Sequence, residues 1–193
     1  ATPISAVEEW HRVEDILPDL LKIAHGQNKQ VSFDSRNVDN ARKAIKLGVD
    51  IINDVSGCVD EKMCELIAET NIKIIIMHNL GIPADKEKVI STNLDVTEEI
   101  LKWGHAQIDK LTNHYHIARD RIIFDVGIGF GKNAQQNWQI IKNIEQFKQL
   151  GELYVGHSRK SFLSLINTKL SDNRDSETAI LSLYLKWQGV DYL

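Results

Sequence analysis

Along this chain, stretches with apolar residues at helical spacing alternate with short runs that are apolar throughout. In "PISAVEEWHRVEDILPDLLKIAHG", Val7, Trp10, Val13, Leu17, Leu20 and Leu21 recur at helical intervals, the mark of one buried face. Ser5 and Glu8 have the spacing of a capping box. Pro18 predicts a kink or a fresh helical segment, because proline removes an amide donor and crowds the preceding turn. "NVDNARKAIKLG" predicts a helix with Asn37 as its cap and Gly48 as its stop. "DEKMCELIAETN", "STNLDVTEEILKWGHAQIDKLTNHYHI", "NAQQNWQIIKNIEQFKQLG" and "DSETAILSLYLKWQG" read as further helices, with a second capping-box spacing at Asp95 and Glu98. Between them lie "QVSFDS", "DIINDV", "IKIIIMH", "RIIFDVG", "ELYVGHS" and a closing "VDYL". These six runs predict strands, each preceded by a helix. Strands that are apolar on both faces belong to a parallel sheet covered by helices. The repetition leaves an α/β fold of one of two kinds, a doubly wound sheet or a (β/α)8 barrel.

The polar residues fall at the ends of these runs. They close in Asp34, in Asn53 and Asp54, in His78 and Asn79, in Asp125, and in His157 and Ser158, with Arg159 and Lys160 just beyond. Turn preferences for Asp and Asn suffice for any one of them. In a parallel sheet, however, all strand C-termini lie on one face, and five such endings in succession predict one convergent site. Asp34, Asn53 and Asp125 would form a ring of acceptors with one amide. A flat ligand with several N–H donors, such as an aminopyrimidine ring, suits that set, since a carboxylate accepts two donors side by side. Arg159 and Lys160 could hold an anion.

The run "FDVGIGFGK" looks at first like a phosphate loop. It matches neither the spacing of a nucleotide P-loop nor that of a dinucleotide fingerprint. Its glycines would instead bring the backbone close to a ligand, with Phe130 covering a flat ring or filling the core. Lys132 is then a loop residue, and Lys160 the lysine that faces an anion.

Composition narrows the classes. The 193 residues suffice for one domain, and 42% hydrophobic with 26% charged residues is ordinary for a globular chain. A net charge of −4 argues against a nucleic-acid partner. No apolar run approaches the ~18 residues of a bilayer span, so no membrane partner is expected. Cys58 and Cys64, in C-x5-C spacing, form neither a redox pair nor a zinc knuckle. They are expected to be buried free thiols in a cytoplasmic protein. His114 and His116 share no helical face, so they are not expected to bind metal. The tryptophans at 10, 103, 138 and 187 fall on predicted helices and are expected to pack there.

Together "SFDSRNVDNARKAIKLGVDIINDVSG", "IIIMHN", "FDVGIGFGKNAQQN" and "VGHSRKSFL" resemble dihydropteroate synthase, across essentially the whole chain. The resemblance implies a (β/α)8 TIM barrel, here an incomplete one of about six parallel strands, with residues 1–193 as a single domain. It implies joining of 6-hydroxymethyl-7,8-dihydropterin pyrophosphate to 4-aminobenzoate, with loss of pyrophosphate and with Mg2+, at a site where sulfonamides compete. Carried over by motif, Asp34, Asn53, Met77, Asp125, Phe130 and Lys160 would bind the pterin. Lys160 and Ser161 would lie near the aminobenzoate. By the same resemblance the family's first strand, its magnesium asparagine, both mobile N-terminal loops and its final arginine and histidine lie outside these residues. No metal ligand is therefore expected within this chain, and these residues alone are expected to be inactive. Val126 stands where the family has a proline and His157 where it has a threonine. The family also implies a homodimer and, as folate enzymes are often fused, a hydroxymethyldihydropterin pyrophosphokinase domain. The alternatives are a pterin-binding methyltransferase domain, against which "SRKSF" argues, and a non-catalytic pterin-binding module of a larger protein.

Overall fold

A computed structural model describes residues 4–85, 87–165 and 174–193; Pro3, at the start of the first helical stretch, lies outside them. The elements run α1 (Ala6–His11), α2 (Leu17–Gly26), β1 (Ser32–Asp34), α3 (Val38–Leu47), β2 (Ile51–Asp54), α4 (Glu61–Ala68), β3 (Lys73–Met77), α5 (Val96–Asp109), β4 (Ile122–Asp125), α6 (Ala134–Lys142), β5 (Leu153–Tyr154) and α7 (Asp175–Trp187). Pro18 sits in the first turn of α2, where its missing amide costs nothing, so the first helical stretch is two segments. Ser5 caps α1 by accepting the Glu8 amide, and Asp95 caps α5 by accepting the Thr97 and Glu98 amides. Asn37 does the same for α3, which stops at Gly48 with φ of +105°, a left-handed conformation open to glycine. The reciprocal capping box lies elsewhere, between Asn133 and Gln136 at the start of α6. The stretch expected as one helix after Asn133 breaks at Asn143 and continues as 3-10 turns over Ile144–Leu150.

The strands form one parallel sheet in chain order, β1-β2-β3-β4-β5. Among the described residues five strands pair rather than the expected six, and β5 is only two residues long. The closing "VDYL" contributes a single bridge, Tyr192 to Tyr154. The register divides each strand between two faces. Phe33, Ile52, Ile74, Ile76, Phe124 and Leu153 turn outward into the large core shared with the helices. Ile51, Ile75 and Ile123 turn inward and pack with Tyr154 and Tyr192 as a separate small cluster. This inner layer is the floor on which the site stands. Below it, the Lys73 ammonium meets the Glu152 carboxylate at 2.7 Å, and the Tyr192 hydroxyl donates to the same carboxylate. Trp10, Trp103 and Trp138 pack from helices onto Phe33, Phe124 and Phe162 respectively. Trp187 is 85% exposed on α7.

Candidate active site

Strand periodicity of two selects which polar ends can meet. Asp34 pairs in register with Asn53, and Met77 with Asp125, which pairs in turn with Tyr154. Asp34 and Asn53 share a rung with the inward Ile75 and Ile123, and Met77, Asp125 and Tyr154 occupy the next inward rung. Asn53 donates from Nδ2 to Asp34 Oδ2 at 3.3 Å. Its own Oδ1 is buried and, among the described residues, without a partner. Met77 is buried at the wall.

Asp125 is 4% exposed, and one carboxylate oxygen accepts the Gly127 amide at 2.8 Å. Burial pushes its carboxyl up to about 6, opposed by that hydrogen bond and by the charges of Lys160 and Lys132. Asp34 is raised as well, by burial first and then by Glu9 and Asp54. Asp125 thus holds its proton more readily than usual, the expected behaviour of an acid withheld from water, and Asp34, exposed at the end of β1, is shifted in the same direction. Lys160 lies beyond the β5 end. Its ammonium donates to the Ile128 carbonyl at 2.6 Å and stands 5.1 Å from the centre of the Phe130 ring. Burial lowers its pKa, and Asp125 opposes the shift. Phe130 is half-buried against this lysine rather than filling the core, and Ser161 is exposed at the first position of a 3-10 turn, Ser161–Leu165.

The glycine run is held from behind. Gly127, Gly129 and Gly131 all have positive φ, and a Cβ on Gly127 would fall 2.0 Å from the His78 carbonyl oxygen. Lys132 is buried beneath the loop, where its ammonium donates to the carbonyls of Gly127 at 2.9 Å and Phe130 at 2.8 Å. It also meets His78 Nδ1 at 2.9 Å. Lys132 is therefore a pin that shapes the loop, in agreement with its demotion from phosphate ligand. Burial lowers its pKa to about 7.

Several polar strand ends do not reach the site. His78 is on the outer side, buried edge-on to Trp103 and engaged with Lys132, so its expected place in the site lining is corrected. Burial and the Lys132 charge lower its pKa to about 3. Asp54 also faces outward, where it accepts the Ser56 and Cys58 amides and the Ser56 hydroxyl. Asn79 braces the β3 end through the Val55 carbonyl. His157 turns toward α7, its Nε2 2.8 Å from Ser182 Oγ. Arg159 clasps Asp175 with two contacts of 2.6 and 3.0 Å. A sequence run cannot separate inward from outward neighbours when a turn follows at once; the register does. One inward residue, Tyr154, carries no motif and escaped notice, although alternation within "LYVGHS" places it level with Asp125.

A parallel sheet here gathers carboxylates, an amide and a lysine at its C-terminal face, and a family model gives the class of the chain. The chain belongs to the pterin binding enzyme family, whose model matches residues 1–193. Proteins similar to it include dihydropteroate synthases. The crystal structure of dihydropteroate synthase from Anaplasma phagocytophilum with bound 6-hydroxymethylpterin-monophosphate is 42% identical, with a TM-score of 0.94 over 100% of this chain and 76% of that one. Dihydropteroate synthase of Streptococcus pyogenes is 33% identical, over 96% of this chain and 67% of its own. The folate synthesis bifunctional protein of Chlamydia caviae is 33% identical over 98% of this chain. The chain spans 43% of the length of that bifunctional relative.

Proposed function

We propose that the whole protein is a dihydropteroate synthase, joining 6-hydroxymethyl-7,8-dihydropterin pyrophosphate to 4-aminobenzoate and releasing pyrophosphate. The observation that carries this reading is the pairing of Asp125, nine-tenths buried with one oxygen uncommitted to the backbone, with the unpartnered Asn53 Oδ1 on the same inner face. Asp125 and Asn53 would accept the N–H edge of the pterin, with Asp34 orienting Asn53 through its amide nitrogen. Met77 and Phe130 would bound the ring's flat faces. Lys160 would donate to a polar ring atom, and with Ser161 it would border the aminobenzoate. The buried Asp125 carboxylate would stabilise positive charge that builds on the pterin as pyrophosphate departs. The aromatic amine then attacks the methylene carbon and loses a proton. This reaction needs no covalent nucleophile.

Among the described residues, no cluster of three or more His, Cys, Asp or Glu side chains is placed to hold a metal ion. We propose that ligands for the Mg2+ implied by the resemblance belong to sequence outside these 193 residues, and no step above runs through it. The reading extends to a homodimer, supported by the exposed Ile180, Leu183 and Trp187 on one face of α7, to a fused pyrophosphokinase, and to sulfonamide competition at the aminobenzoate position. No helix among the described residues is long and apolar enough to cross a membrane. A cytoplasmic location is supported by Cys58 and Cys64, buried thiols 3.5 Å apart that remain free.

The test is turnover of the full-length protein, read as pyrophosphate release dependent on 4-aminobenzoate. Activity lost in Asp125→Ala is expected; a full-length wild-type protein that binds the pterin substrate without turnover overturns the catalytic reading.

A further inference from the structure

Tyr154 is the inward residue that the motifs leave unexplained. It lies level with Asp125 across the β4–β5 pairing and rests on the inner layer of Ile51, Ile75 and Ile123. The ring is only half-buried, and among the described residues its hydroxyl has no hydrogen-bond partner. A tyrosine joins an apolar ring to a polar tip, and this tip is open to a ligand. The environment is charged as well as apolar. Burial raises the phenol's pKa, and the Asp125 and Asp34 carboxylates raise it further.

Gly156 fixes the geometry above the ring. A Cβ at that glycine would lie 3.5 Å from Tyr154 Cε1, 3.8 Å from its hydroxyl oxygen and 3.7 Å from Lys160 Nζ. The phenol and the lysine ammonium therefore flank one small gap, kept open by a residue without a side chain. Lys160 spends one proton on the Ile128 carbonyl, and an ammonium carries three. The gap is thus bordered by a cationic donor, a neutral hydroxyl and, one strand away, a carboxylate.

We propose that Tyr154 is a ligand-positioning residue of the pterin site. Its phenol edge bounds the ring from below, and its hydroxyl hydrogen-bonds a polar ring atom lying between Asp125 and Lys160. The inference rests on the pterin reading and deepens it. A neutral hydroxyl between a carboxylate and an ammonium accepts from or donates to the ring without a net charge. It therefore favours a ligand that presents a hydrogen-bonding heteroatom at that position over an equally flat ring that presents carbon.

The experiment uses the full-length protein and equilibrium titration with 6-hydroxymethyl-7,8-dihydropterin pyrophosphate. Tyr154→Phe keeps the ring and removes one neutral hydrogen bond, so affinity should fall about threefold to tenfold. The melting temperature and the KM for 4-aminobenzoate should stay at the wild-type values. Tyr154→Leu also removes the ring edge and should weaken binding further. Asp125→Asn is measured alongside. Unchanged affinity in Tyr154→Phe, with binding lost in Asp125→Asn, overturns the role of Tyr154 and leaves the pterin reading standing. Unchanged affinity in Asp125→Asn overturns the pterin reading and the inference with it. A Tyr154→Phe effect confined to the KM for 4-aminobenzoate also overturns the inference.

Discussion

Asn53 turns its amide nitrogen to the Asp34 carboxylate, 3.3 Å away, and holds its own carbonyl oxygen buried and, among the described residues, unpaired. Folding gains little from an unpaired buried acceptor, which carries a desolvation cost until something donates to it. Asn53→Ala should therefore barely change stability, within about 1 kcal/mol. Pterin affinity should fall about tenfold to a hundredfold, the loss of one or two hydrogen bonds in a dry site. Urea unfolding and pterin titration of the full-length variant against wild type measure the two, and wild-type affinity would rule out this role for Asn53.

The pKa of Asp125 near 6, against 3.8 for an ordinary carboxyl, makes a prediction about stability. Folding raises this pKa, so the folded state binds the proton more tightly. The contribution is complete below about pH 4 and is lost as pH rises through 6. Held ionised at neutral pH, the carboxylate costs about 3 kcal/mol. Asp125→Asn can still accept the Gly127 amide and carries no charge. It should be more stable than wild type by about 1–3 kcal/mol at pH 7.5, with the gain vanishing near pH 4. Urea unfolding at both pH values decides the matter; an Asn variant less stable at pH 7.5 contradicts the account. Pterin binding should be lost in the same variant.

The loop above Lys132 should be intolerant of a side chain at Gly127. A methyl group 2.0 Å from the His78 carbonyl oxygen cannot be accommodated without moving β3 or the loop. Gly127→Ala should destabilise by about 3 kcal/mol or more. Lys132→Ala strips donors from the Gly127 and Phe130 carbonyls and should cost about 2–4 kcal/mol. Chemical denaturation of the two variants measures these losses, and a loop indifferent to both would mean that neither contact shapes it.

His157 should prove structural. Its contacts run to Ser182 and to the Val155 and Thr178 carbonyls. His157→Ala should lose about 1–2 kcal/mol of stability and leave pterin affinity within about twofold of wild type. A selective loss of turnover with full stability would instead give this histidine a part in the chemistry.

Ile180, Leu183 and Trp187 are 71%, 75% and 85% exposed on one helix. Such an apolar face is costly in water. If it joins two subunits, Leu183→Glu in the full-length protein should convert a dimer to a monomer in sedimentation, with the melting temperature dropping. A dimer that survives the charge places the interface elsewhere.

Much of this architecture could be read before any coordinates. Alternating helical and apolar runs gave the parallel α/β order, and caps such as Asn37 and stops such as Gly48 gave helix limits. The strand-end carboxylates were legible because their neighbours are apolar and their own burial needs a reason. What the sequence concealed was direction. His78 and Met77 are adjacent, yet one faces Trp103 and the other the site. Lys132 could be set aside by motif spacing, but its hold on three carbonyls and a histidine depends on how the loop turns back. The sixth strand failed because "VDYL" offers one bridge, and strand identity requires a partner as well as propensity.

The order β1-β2-β3-β4-β5 means that each strand pairs with the one made just before it. During synthesis, therefore, every new strand meets a partner already emerged, across one intervening helical segment. Among the described strands, β2 to β5 each find their partner in the segment just made. Such pairing can be added in the direction of translation, with β2, β3 and β4 flanked on both sides once the next strand arrives.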